Sequence, residues 1–383
     1  MLALMFRRMA AAGLCNLLLG AAGSSAWAQA VGTSADPNTT ASTPANMAIA
    51  TAAPADRKQV RTWLMRINEA ASQRNFQGTF VVTAGGSAVS SARIAHFCEG
   101  SDRYERIDSL DGQARHVFRH NDQVHTLWPQ SRVALVEQRE TMSSFPSLLQ
   151  SGDDKVSELY EVRQQGVERV AGHDANVLSI KPKDAFRFGY RLWSDQASGL
   201  LLRSDVLNER GELLESSAFS DVAIGVKSQT DVVLGPMKKL DGYRVVRPSL
   251  TSTKLDAEGW TLRPGVPGFV QVSCVKRPLD AAAQDEPRSA GSGPGVGAKG
   301  SRGANNHGNA QAQAIQSIFS DGLTYVSVFI EPYNAERHTK PVLTAMGATH
   351  TLMRRQGDWW LTVVGDVPVQ TLRAFAAGLE RKK

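Results

Sequence analysis

Cysteine is scarce in this chain, with three among 383 residues. That is too few for a disulfide scaffold, and no C-x-x-C or Cys/His spacing suits zinc. Charge of one sign is also in short supply: the formal net charge is only +6, with acids and bases interleaved. A nucleic-acid binder would carry a dense Lys/Arg stripe, so that partner class is excluded. After the N-terminal stretch no run of 18 apolar residues occurs, which leaves no later candidate for a membrane-spanning helix. The G-x-S-x-G, H-E-x-x-H and P-loop patterns are all missing. Gly295, Gly297 and Gly300 do satisfy G-x-G-x-x-G, but without the preceding strand and following helix that a phosphate cradle needs. His116, His120 and His125 flank the Asn121-Asp122 turn and read as surface histidines, not metal ligands. No catalytic set, metal site or cofactor site is expected.

What is present begins with an address. Arg7 and Arg8 precede an uncharged, mostly apolar run, and Ala26-Trp27-Ala28 is an A-x-A cleavage pattern. Residues 1–28 therefore read as a secretory signal peptide, and the mature protein is expected in the periplasm. Residues 29–55, rich in Ala, Thr, Ser and Pro and nearly free of charge, read as a disordered tether. Cys98 and Cys274 lie far apart; buried free thiols are the commoner reading, with a disulfide left open.

Asp56 is a fitting N-cap for a helix carrying Val60, Trp63, Leu64, Ile67 and Ala71 on one face, ending near Asn75. From Phe76 to Ile224 the pattern turns to β, with nine short segments punctuated by Gly, Asn and Asp. Turns this regular with no helices between them predict an antiparallel meander. A meander that large must curl, and one helix is available to cover it. The expected first domain, 56–227, is a half-barrel with a concave apolar face suited to an acyl chain or an extended apolar peptide. Thr141 to Lys155 interrupts it with Met142, Phe145, Leu148 and Leu149 among Ser, Pro and Gly. This stretch is either a plug on the barrel or a movable flap; loop apolar residues more often finish a core.

Residues 228–247, containing Gly235-Pro236 and Asp241-Gly242, read as a linker to a second domain at 248–383. Five strands are expected there, with a hairpin turn at Asp321-Gly322 and a last helix opened by Pro368. An Ala/Gly/Asn/Ser-rich insertion at 281–312 reads as a disordered loop. The fold class is mainly β, α+β: an antiparallel half-barrel on a helix plus a small C-terminal α+β domain.

This layout resembles the MucB/RseB family of sigma-factor regulators, whose first domain looks like the LolA/LolB lipoprotein carriers. The stretches that carry the resemblance are the helix through Trp63 to Phe76 and Tyr190 to Asp221, with Trp193-Ser194-Asp195 and Asn208-Glu209-Arg210-Gly211. The second domain adds Trp260-Thr261-Leu262-Arg263-Pro264, Pro267-Gly268-Phe269, Ser320-Asp321-Gly322-Leu323 and Val363 to Pro368. Their order and spacing, not any single motif, is the signal. The long tether and the insertion depart from the family pattern.

The resemblance implies that the protein binds the periplasmic part of a transmembrane anti-sigma factor (RseA- or MucA-like) and shields it from proteolysis. Lipid or lipopolysaccharide fragments, or misfolded envelope proteins, would release it. For the polypeptide partner the expected anchors are Trp260, Leu262, Pro264 and Phe269, with a core role for Trp260 and Phe269 as the alternative. For an acyl ligand they are Phe145, Leu148, Leu149 and Trp193, with Arg187 and Arg191 placed for phosphate groups. A lipid or lipoprotein carrier without an anti-sigma partner is the competing reading, and the sequence leaves room for a homo-oligomer.

Overall fold

The computed structural model describes residues 53–85, 88–138, 155–279, 313–338 and 340–382. Residues 1–28, most of the tether, 141–154 with Phe145, Leu148 and Leu149, and the insertion 281–312 lie outside the described residues.

The first helix, α1 (Arg57–Gln73), starts where the sequence places it. Asp56 accepts from Gln59 N at 2.8 Å while the Gln59 side chain accepts from Asp56 N at 3.1 Å, a reciprocal capping box. Val60, Leu64, Ile67, Ala70 and Ala71 form its buried stripe. Eleven strands follow: β1 (Phe76–Ala84), β2 (Ala88–Glu99), β3 (Asp102–Ser109), β4 (His116–His120), β5 (Gln123–Trp128), β6 (Val133–Gln138), β7 (Tyr160–Val170), β8 (His173–Pro182), β9 (Gly189–Asp195), β10 (Leu201–Leu207) and β11 (Leu213–Ile224). A short helix, α2 (Lys155–Leu159), precedes β7.

The order β6-β5-β4-β3-β2-β1-β11-β10-β9-β8-β7 makes one antiparallel sheet, its two halves joined in the middle by β1, which pairs with both β2 and β11. It curls sharply at one end. His173 at the start of β8 reaches Val222 O on β11 at 3.2 Å, although three strand steps separate them. In a flat sheet that gap would be about 14 Å. The expected half-barrel is thus the fold observed, with Val60, Leu64 and Ile67 of α1 packed among Leu178, Ile180, Tyr190 and Leu192.

The expected linker at 228–247 is a correction. It folds into α3 (Asp231–Lys238) and β12 (Arg244–Val246), and β12 extends the first sheet by pairing in parallel with β6. Gly235-Pro236 reads locally as a break, yet Val233 and Met237, four apart, are buried against Phe97, Phe118 and Leu127. The proline leaves Val232 O without its helical donor, and Arg106 Nη1 supplies one from β3 at 3.4 Å.

Residues beyond 250 form a second sheet in the order β13-β15-β16-β17-β20-β19-β18, antiparallel throughout. Its strands are β13 (Thr251–Ser252), β15 (Val270–Pro278), β16 (Gln313–Ser320), β17 (Tyr325–Pro332), β18 (Val342–Met346), β19 (Thr349–Gln356) and β20 (Trp359–Gly365). Helix α4 (Val369–Gly378) packs Leu372, Phe375 and Ala376 on Val326, Val328, Ile330, Leu361 and Val363. A separate ribbon pairs β14 (Trp260–Leu262) with β21 (Leu379–Arg381). Cys98 and Cys274 are both free thiols.

Candidate functional site

The two sheets meet over a buried polar cluster. Asp321, in the Asp-Gly turn between β16 and β17, is fully buried. Its Oδ1 accepts from the backbone N–H groups of Leu323 and Thr324, both at 2.9 Å. Its Oδ2 accepts from Arg187 Nε and from Tyr160 OH, both at 2.7 Å. The turn chemistry that closes the second domain's hairpin thereby holds a carboxylate against two side chains of the first. Arg187 also donates to Asp184 and to Pro267 O, and its guanidinium lies 5.0 Å from the Phe269 ring. Burial and the Asp321 charge push the Tyr160 hydroxyl well above its ordinary range. Burial disfavours the Arg187 cation, but the neighbouring Asp321 charge outweighs it and the guanidinium stays protonated.

Around this pin the domains share further contacts. Thr371 Oγ1 donates to Phe186 O at 2.8 Å, and the rings of Phe188 and His350 lie 5.7 Å apart. Leu323 and Ala348 of the second domain are buried in the same apolar cluster as α1. The module that covers the sheet and the module behind it therefore share one core.

These placements correct the expected ligand residues of the first domain. Arg187 is 0% exposed and consumed by Asp321, so it cannot meet a phosphate group. Trp193 is 1% exposed, with Nε1 donating to Glu168 at 2.8 Å and the Arg203 guanidinium 4.4 Å from its ring. Alternation along β9 sends Leu192 into the cluster of Val60, Leu64 and Ile67 of α1, and Trp193 into the other cluster, with Phe76, Phe80 and Phe219. Arg191 lies 5.8 Å from the Trp193 ring and is only partly exposed. Among the residues clustered with Val60, Leu64 and Ile67 of α1 are Leu178, Ile180, Tyr190 and Leu192, which alternation counted from Leu192 would have found. His125 is a second correction: it is 4% exposed rather than on the surface, and burial followed by Arg247 depresses its basicity.

The four expected anchors of the second domain do not form one site. Leu262 is half-buried in the ladder opposite Leu379, Pro264 is exposed, and Phe269 sits at the junction above Arg187. Trp260 is 1% exposed, which the core alternative anticipated, yet it forms the floor of an open groove of about 610 Å³. Trp359 meets it edge-on at 5.6 Å, and Arg381 lies 4.4 Å over the Trp359 ring. Pro332, Gln356 and Asp358 complete the rim. Buried Trp260 Nε1 has no hydrogen-bond partner among the described residues, a deficit that an acceptor on a docked polypeptide would relieve. Sequence reasoning missed Trp359 and Arg381, which lie about a hundred residues away along the chain; Arg381 joins Trp260 through the pairing of β21 with β14, and Trp359 reaches it from the start of β20.

Comparison with known proteins gives this architecture a family. A family model described as the MucB/RseB N-terminal domain matches residues 59–237, and the MucB/RseB C-terminal domain matches 254–380. The sigma factor AlgU regulatory protein MucB of Pseudomonas aeruginosa is 28% identical over 330 residues, covering 83% of this chain and 89% of that protein. The sigma-E factor regulatory protein RseB of Escherichia coli K12 is 23% identical over 321 residues, with the same coverage. A solved MucA/MucB complex from Pseudomonas aeruginosa matches with a TM-score of 0.61 at 26% identity, covering 85% of this chain and 99% of the matched one. With both of its halves matched in order, the chain belongs to the MucB/RseB family.

Proposed function

We propose that this protein is a periplasmic negative regulator of a sigma-E-type envelope-stress response. It binds the periplasmic segment of a transmembrane anti-sigma factor of the RseA/MucA kind and protects that segment from regulated proteolysis. It acts by binding, not catalysis. The observation that carries the reading is likeness across both domains to a MucB solved together with MucA. The open groove in which partly exposed Trp359 and exposed Arg381 stand over buried Trp260 suits the grip on a polypeptide, since aromatic and Arg anchors dominate such interfaces. The shared core of α1 and the second domain suits release: a lipid or lipopolysaccharide fragment that displaces α1 would act on the holder through Leu323 and Ala348. A simple lipid carrier has no use for the second sheet or for its buried junction.

The test mixes the purified mature protein with the periplasmic segment of the anti-sigma factor from the same organism, with and without lipopolysaccharide. Binding at micromolar protein and slower cleavage of the segment are expected, both weakened by the lipid. Trp359→Ala should lose about tenfold or more in affinity while the fold is retained. Absence of binding refutes the regulatory reading; binding unmoved by lipid refutes the release mechanism.

A further inference from the structure

Beneath α1, away from both the junction and the groove, three side chains form a chain of contacts that the proposed function does not use. His96 and Cys98 are two apart on β2 and so point to the same face. Glu105 is the cross-strand partner of His96 on β3. Glu105 Oε1 lies 3.2 Å from His96 Nδ1, and His96 Nε2 lies 3.2 Å from Cys98 Sγ. His96 is 0% exposed, stacked on Phe76 at 5.1 Å, so the ring is held in this orientation. Arg119 Nη1 is 3.7 Å from the other carboxylate oxygen of Glu105, and Arg103 faces Cys98 across the ladder. From the end of α1, Ser72 O accepts from Cys98 Sγ at 3.0 Å and Asn75 Oδ1 accepts from Cys98 N at 2.8 Å. Cys98 itself is partly exposed.

A carboxylate that orients an imidazole, which in turn touches a thiol, is the arrangement that makes a cysteine nucleophilic. Burial disfavours the His96 cation, yet hydrogen bonds to Cys98 and Glu105 outweigh it and raise His96 to about 9. The cationic ring therefore faces the sulfur at neutral pH. Cys274 offers the internal contrast: it is 6% exposed with no histidine beside it among the described residues, and burial raises its thiol.

We infer that Cys98, set against the His96–Glu105 pair, is a redox modification site that forms mixed disulfides with low-molecular-weight disulfides. In this step the Cys98 thiolate attacks one sulfur of the small disulfide. A new S–S bond forms to Sγ, the old S–S bond breaks, and the leaving thiolate departs with the bonding pair and takes its proton from solvent. Cys98 is oxidised to the mixed disulfide and the departing half of the reagent is reduced to a thiol. The product cannot keep its contact with Ser72 O, so the last turn of α1 is pushed from the sheet. Because α1 fills the apolar face of the first domain, the modification acts on the element a lipid would also displace.

The experiment treats the purified protein at pH 7 with oxidised glutathione and follows each cysteine by peptide mass mapping. Exposure alone would favour Cys98 over Cys274, so the deciding comparison is Cys98 in the native chain against Cys98 in the urea-unfolded chain. The native thiol should react about tenfold faster despite its lower exposure, and dithiothreitol should reverse the product. His96→Gln should remove that advantage, and Glu105→Gln serves where His96→Gln does not fold. Glutathionylated protein should exchange the amide hydrogens of residues 70–75 faster than the reduced protein. A native Cys98 that reacts no faster than its unfolded counterpart, or a folded His96→Gln chain with unchanged rate, overturns the inference.

Discussion

At the scale of single residues, two of the buried ion pairs have separate tasks. Arg187 and Asp321 join the domains, and removing one member leaves the other charged and desolvated. Asp321→Asn preserves the shape and can keep the Oδ1 contacts to the turn, so the lost charge is isolated. It should cost about 3–5 kcal/mol in chemical denaturation. The His96–Glu105 pair sets a pH dependence. Folding raises His96 from 6.5 to about 9, so its stabilisation is complete below pH 6.5 and is lost as pH rises through 9. Glu105 is held below its ordinary value, burial opposing its charge but His96, Arg119 and Arg103 favouring it. The melting temperature should fall between pH 6.5 and 9, and His96→Gln should flatten that slope in calorimetry.

Elements show where local pattern speaks and where it does not. The α1 boundary and the Asp321-Gly322 hairpin follow from side chains that satisfy backbone groups within four residues, and both are legible in sequence. Strand β3 was not, because Asp-Arg-Tyr-Glu-Arg reads as a solvated stretch. Glu105 is buried there only because β2 brings His96 opposite it, a fact of register and not of composition. Strand β1, which follows α1, carries a second such dependence at Gly78. A Cβ there would fall on Asp221 O and within 2.9 Å of Val222 Cα on β11. Gly78→Ala should therefore pry β1 from β11, at a cost of about 2–4 kcal/mol in urea titration, far above the ordinary Gly→Ala effect.

For the whole molecule, the decisive feature is that the two sheets share one core. Arg187, Tyr160 and Asp321 on one side, and Leu323 and Ala348 inside the cluster of α1, predict that the domains unfold together. Calorimetry at neutral pH should give one transition for the native chain. Asp321→Asn should split it in two, because the buried Arg187 cation then loses the counter-charge that ties it to the second domain and keeps only Asp184 of its own.

By itself the sequence determined the class of the molecule. Period-two alternation with regular turns dictates a meander, 3.6-period apolar residues dictate α1 and α4, and the excess of strand over helix forces a curled sheet. Those are local regularities, and each is written in a few consecutive residues. The tertiary structure alone decided which face each strand side chain met, so Trp193 went under Arg203 while Leu192 went under α1. It also decided that Arg187 would pin two domains instead of meeting a ligand, and that Trp260 would find Trp359 and Arg381 a hundred residues away. The physical reason is the same in each case: a side chain's chemistry is fixed by its type, but its partner is set by long-range strand pairing, which no local pattern encodes.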